Sequence, residues 1–237
     1  VEKIDASGVV GVIGVTIGTA LLPLLSKHVE LGEKNNAFRA QHKSLVTGMM
    51  FGIPAAAALF MIADPIIRVL FGRGAFMDAD VIATATTLMA YAIGVPAFVL
   101  NKIFTTTFFA HKDTKTPLKI GLLSVTLNFV LNIILMQYYS YVGLALATTI
   151  AAWVQALINY VILHKKDWYR VNLRVLKQLF VFIVSSLLMC GYLAFCYRRD
   201  YLTQPLPLLG VSVGGGIFFY FLTGLSLAGF KLSRFRS

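Results

Sequence analysis

The sequence predicts an all-α membrane protein, a polytopic bundle of seven transmembrane helices, on three observations. Seven long apolar stretches fill most of its 237 residues. Fifteen of its 21 lysines and arginines crowd into every second gap between those stretches and into the tail. Hydrophobic residues make up 58% of the chain and charged residues 13%, with a mean hydropathy of +0.78, far from the balance of a soluble domain.

The stretches run over Ser7–Leu25, Val46–Phe71, Val81–Ala110, Pro117–Gln137, Gly143–Leu163, Leu176–Tyr197 and Leu206–Phe230. Most exceed the roughly 20 residues a helix needs to cross the hydrocarbon core. Lys27, Lys34, Arg39 and Lys43 follow the first, Lys112, Lys115 and Lys119 the third, and Lys165, Lys166, Arg170, Arg174 and Lys177 the fifth. Lys231, Arg234 and Arg236 lie in the tail, while the opposite gaps hold Arg73, then none, then Arg198 and Arg199. The positive-inside rule makes the rich side cytoplasmic, so the first stretch enters from the outer face and the chain ends inside. The first residue is Val1, and Glu2, Lys3 and Asp5 stand before the first apolar run with no signal-peptide pattern. An odd number of crossings begun from outside then implies further helices upstream.

The connectors are read in order. Ser26 to Ser44 is polar and reads as a solvated connector, with a short surface helix as the other possibility. Phe71 to Phe76 is a glycine-containing turn, and Asp78 is expected to cap the third helix. Asp113 to Pro117 places a proline at a helix start, where its missing donor costs little. Tyr138, Tyr139 and Tyr141 join the fourth and fifth stretches and suit an outer interfacial belt, while Trp168 sits at the cytoplasmic exit of the fifth. Cys190 and Cys196 read as packing residues.

A formal charge of +11 follows from loop lysines facing anionic headgroups, and no nucleic-acid partner is expected. Asp64, Asp78, Asp80 and Asp113 are dispersed over opposite faces and Gly214 to Gly216 lies inside an apolar run, so no enzyme is expected. Charges at membrane depth are costly and are therefore candidates for function. Lys102, inside the third stretch, either snorkels to the interface or lines a cavity, and Arg68 near the outer end of the second can also snorkel. His111 and His164 close cytoplasmic helix ends. Asn128 and Asn132, four residues apart, share one face of the fourth helix, and Thr148 is a matching hydroxyl on the fifth, one turn beyond the Leu144 carbonyl. Hydrogen bonding between helices is the simplest use for them.

Five segments carry a family resemblance. Ile17 to Ser26 (IGTALLPLLS), Pro65 to Phe76 (PIIRVLFGRGAF), Ala90 to Pro96 (AYAIGVP), Asp113 to Lys119 (DTKTPLK) and Gly143 to Trp153 (GLALATTIAAW) resemble, in order, the lipid II flippase family (MurJ, or MviN) of the multidrug/oligosaccharidyl-lipid/polysaccharide exporter superfamily. The resemblance covers essentially the whole chain and corresponds to helices eight to fourteen of a 14-helix transporter, its C-terminal half. Residues 1–163 then form five core helices, and 164–237 two additional helices bordering a groove for a lipid tail.

What the resemblance implies is an inner-membrane protein that moves undecaprenyl-pyrophosphate-linked peptidoglycan precursor, lipid II, to the outer leaflet by alternating access, with an N-terminal lobe as its missing partner. Lys3, with Glu2 beside it, falls near a cavity-facing cationic position of the family and, with Lys102, would meet the substrate. Asn128, Asn132, the Leu144 carbonyl and Thr148 resemble ligands of a monovalent-cation site, which makes sodium the expected coupling ion. An exporter of another polyprenyl-linked oligosaccharide or of a small cation, and a non-transporting scaffold or remnant, remain as alternatives.

Overall fold

A computed structural model describes residues 21–72, 76–198 and 205–226, all of whose regular structure is helical. Residues 21–30 form α1; then come α2 (Lys34–Met61), α3 (Ala63–Phe71), α4 (Asp78–Ala110), α5 (Lys115–Lys165), α6 (Leu173–Arg198) and α7 (Pro205–Ser226). Most of the first predicted crossing lies outside the described residues.

The connector after α1 is far shorter than its polarity suggested. Only residues 31–33 leave the helical state, reversing through Gly32 at φ +70°, a left-handed conformation that glycine adopts without steric cost. α2 therefore begins at Lys34, about a dozen residues before its apolar run. The second predicted crossing is two helices, parted at Ile62, whose ψ of 21° departs from helical geometry. Pro65 causes the break, and it falls in the first turn of α3, where no backbone donor is required.

The helix cap at the start of α4 corrects the sequence reading. Asp80, not Asp78, accepts the Met77 amide at 3.0 Å. Asp78 instead takes the Arg68 guanidinium at 2.5 Å, and Asp64 also meets that group, so Arg68 ties α3 to α4 instead of reaching toward headgroups.

α5 is a hairpin. Its 51 residues are interrupted at Ser140 (φ 49°, ψ −130°), and side chains then meet across the chain: Ser124 donates to Ala151 O, and Asn128 to Thr148. Each arm has about 25 residues, or roughly 37 Å of helix, enough to cross a bilayer. The arms coincide with the predicted fourth and fifth crossings, and Pro117 sits two residues inside the start of the first arm. Together with α2, α4 and α6, which are long and apolar enough to cross, they give a multi-pass membrane protein.

α4 is the hub. It packs along both α2 and α5, and α2 in turn packs on α6, which pairs with α7. The close approach of α4 to the second arm of α5 is made by Gly94, whose missing side chain leaves room for Thr149, in keeping with the small residues that membrane helix contacts favour. The main buried cluster, including Leu45, Ile103, Phe104, Phe108, Leu163 and Tyr169, lies toward the end of the bundle where the basic connectors converge.

Candidate functional site

The α5 hairpin builds a ladder of polar groups at membrane depth. Asn132 Nδ2 donates to Asn128 Oδ1 (3.1 Å), Asn128 Nδ2 donates to Thr148 Oγ1 (3.2 Å), and the Thr148 hydroxyl donates to the Leu144 carbonyl (2.9 Å). All four residues singled out from the sequence meet here. The reversal at Ser140 makes this possible, because it lays the second arm back against the first with positions 128 and 148 opposite each other.

The ladder does not use up its acceptors. Asn132 Oδ1 is buried and has no partner, and a buried acceptor left unmade costs about 1–3 kcal/mol. The amide oxygens, the hydroxyl and the carbonyl are all neutral, so the ladder presents oxygen lone pairs with no carboxylate among them. Such ligands match a hard cation of low charge. Among the described residues no group of three or more histidine, cysteine, aspartate or glutamate side chains gathers into a metal site.

Lys102 stands apart from this ladder. It lies on α4, exposed, with no side-chain partner among the described residues, while its neighbour Ile103 is fully buried. Glu2 and Lys3 lie outside the described residues.

A second set of polar links was not legible in the sequence. Asn159 donates to Asn101 (3.0 Å), and Asn101 donates to Ala152 O (2.8 Å). Thr149 donates to Ala90 O, and Trp153 to Ile93 O. The last two land on α4 carbonyls six and three residues before Pro96. Neither of these links has a local signal, since they join residues 59 and 60 positions apart. Asn101 and Asn159 carry none either, because their pairing joins residues 58 positions apart.

At the basic end the connectors interlock. Lys166 Nζ lies 2.6 Å from Asp113 and 4.5 Å from the Trp168 ring centroid, and His111 stacks on the same indole at 4.1 Å. Gln41, fully buried, donates to Trp168 O, and His42 meets Arg170 O at 2.7 Å. Lys34 pairs with Asp167 and Lys112 with Glu30. Burial pushes the Asp113 carboxyl up, but hydrogen bonds from Lys166 and Thr116 outweigh it and hold that group well below the usual carboxylate range. Burial lowers the His111 imidazole, and the nearby Lys166 charge adds to the effect. The loops that the charge pattern assigned to one side of the membrane are thus in direct contact.

Long apolar helices, with a reversed pair packed along α4, define a polytopic membrane protein. The family description "Lipid II flippase MurJ" matches residues 9–208. A probable lipid II flippase MurJ of Rickettsia prowazekii is 32% identical over 228 residues, covering 91% of this chain and 44% of that protein. The corresponding protein of Vibrio cholerae is 35% identical over 182 residues, covering 76% and 34%. A solved structure, "Lipid II flippase MurJ, inward closed conformation", superposes with a TM-score of 0.74 at 26% identity, over 91% of this chain and 43% of that one. The chain belongs to the MurJ lipid II flippase family, and it spans under half the length of these relatives.

Proposed function

We propose that this chain forms the C-terminal half of a transporter that carries lipid II from the inner to the outer leaflet of the cytoplasmic membrane by alternating access. The observation that carries the reading is the structural likeness to a lipid II flippase over nine-tenths of the chain. A lipid-linked precursor must take pyrophosphate and sugars past hydrocarbon while its tail stays in lipid. That task calls for a water-accessible cationic cavity between two lobes that rock about a fixed site. Lys102, exposed on α4, is the described cation suited to that cavity, with Lys3 and Glu2 as further contacts. The second lobe is supplied by the part of the protein that its relatives carry upstream. The interlocked basic end faces the cytoplasm, where the positive-inside rule puts it.

Sodium is the proposed coupling ion. Asn128, Asn132, Thr148 and the Leu144 carbonyl would hold it, and the unpartnered Asn132 Oδ1 supports that assignment. A cation there would neutralise lone-pair repulsion within the hairpin and bias its packing.

Complementation tests the reading. The full-length protein carrying this chain is supplied to a bacterium depleted of its own lipid II flippase, and outer-leaflet lipid II is followed. Rescue that is lost in a stably expressed Lys102→Ala or Asn128→Ala variant supports flipping and these sites. Failure to rescue despite correct insertion rejects lipid II as the cargo.

A further inference from the structure

The basic end carries a cleft that transport does not account for. It has a volume of about 420 Å³, and its wall includes Asn35, Phe38, Arg39 and His42 of α2 together with Arg170 and Leu173 from the junction of α5 and α6. None of its lining residues is acidic, whereas elsewhere at this end Lys34 pairs with Asp167, Lys112 with Glu30, and Lys166 with Asp113. Arg39 and Asn35 are exposed and have no side-chain partner among the described residues. Arg170 spends its Nε on Asp167 at 2.6 Å, which leaves the outer edge of its guanidinium for a ligand. His42 is fixed by its bond to the Arg170 carbonyl, so the cleft is held between two elements that are already tied together.

We propose that this cleft binds the phosphate headgroup of an anionic glycerophospholipid. Two guanidinium forks suit phosphate oxygens better than ammonium groups do. The apolar members of the wall argue for a lipid over a soluble anion. Leu173, 66% exposed, leads along α6 to Leu176 and Phe180, themselves 54% and 66% exposed, so an acyl chain leaving the headgroup meets an apolar surface running into the bilayer. The cleft sits where the basic connectors end and this surface begins, the level at which headgroups lie. Because it bridges α2 to the start of α6, an occupied cleft clamps those helices to each other.

The test uses the full-length protein purified in neutral detergent and titrated with short-chain phosphatidylglycerol, with phosphatidylcholine and inorganic phosphate as parallel probes. Phosphatidylglycerol binds the wild type more tightly than either. Arg39→Ala and Arg170→Ala each weaken it about five-fold, and the double variant about 25-fold, from the usual contribution of a basic residue near an anionic lipid surface. Arg39→Ala breaks no hydrogen bond or ion pair among the described residues, so thermal unfolding of the variant matches the wild type while its lipid affinity falls, and Lys119→Ala, at the same end but outside the cleft, leaves binding unchanged. Wild-type affinity in the double variant overturns the proposal. So does inorganic phosphate that competes as well as the lipid, since the cleft would then serve a soluble anion.

Discussion

Tyr220 on α7 donates its hydroxyl to the Met50 carbonyl of α2 at 2.9 Å, and Met50 is the residue whose carbonyl Pro54, four positions on, cannot bond. Tyr220 is almost fully buried, and it packs in a small cluster with Ile62, Met189 and Leu193. A proline in one helix is thus answered by a phenol from another, and α7 is pinned to α2 one turn before Pro54. Tyr220→Phe leaves the carbonyl unpaired in apolar surroundings and lowers stability by about 1 kcal/mol. In Pro54→Ala the restored amide supplies the missing donor, so Tyr220→Phe costs little in that background. Thermal unfolding of the four members of this cycle in detergent checks the coupling, and equal costs in both backgrounds would refute it.

The crossings were legible because hydropathy over some 20 residues reports a physical requirement of the bilayer. The arms of α5 fall on Pro117–Gln137 and Gly143–Leu163, and Asn128 and Asn132 were readable as a pair because four residues make one helical turn. What failed was local or long-range. The break at Ile62 hid inside an apolar run, where only Pro65 marked it. Asp78 and Asp80 are equally plausible caps by composition, and the choice was made by Arg68, on another helix. The burial of Gln41 against Trp168 O depends on a contact between residues 127 positions apart, which no local pattern announces.

The ladder in α5 predicts how sodium acts on stability. Ligand binding to the folded state raises the unfolding temperature in proportion to the logarithm of concentration over Kd. Asn128→Ala removes the central link, which joins Asn132 to Thr148, and abolishes a sodium-specific thermal shift measured against potassium. Asn132→Asp puts a carboxylate where the unpartnered oxygen lies and tightens sodium binding about ten-fold or more. It also makes binding fall as pH drops through the new carboxyl's range. A sodium response unchanged in Asn128→Ala would remove the hairpin as the ion site.

Asp113 sets a pH dependence at the basic end. Its carboxyl titrates lower in the folded protein than in the unfolded chain, because Lys166 and Thr116 donate to the ionised form. The stabilisation is therefore complete above the unfolded carboxyl range near ~4 and is lost as pH falls through the folded value. Asp113→Asn costs about 1 kcal/mol at neutral pH, because the charge-assisted bond from Lys166 is lost while the amide oxygen still accepts the Thr116 N–H. The cost stays level from about pH 5 to 8 and shrinks in stronger acid as the wild type loses the same contribution. Unfolding temperatures of both proteins across that range test this, and a cost that grows in acid would reverse the assignment.

Two glycines separate tolerable crowding from backbone conflict. A Cβ at Gly94 would lie 2.9 Å from Thr149 Oγ1 and 3.1 Å from Phe98 Cε2. Both are side-chain atoms, but Thr149 is buried and bonded to Ala90 O at 2.8 Å, so it cannot yield without leaving that carbonyl unpaired. Gly94→Ala therefore destabilises the contact between α4 and α5 by about 1–3 kcal/mol. At Gly143 the added carbon would run into the backbone carbonyl of Leu135, on the opposite arm of the hairpin, and no rotamer relieves that clash. Gly143→Ala should therefore be the worse of the two, forcing the arms apart next to the Leu144 carbonyl and weakening the oxygen ladder with them. Stability and sodium response measured on both variants distinguish the cases. Gly94→Ala lowers stability and keeps the sodium shift, whereas Gly143→Ala loses both, and a fully stable Gly143→Ala would show that the two arms can part there without cost.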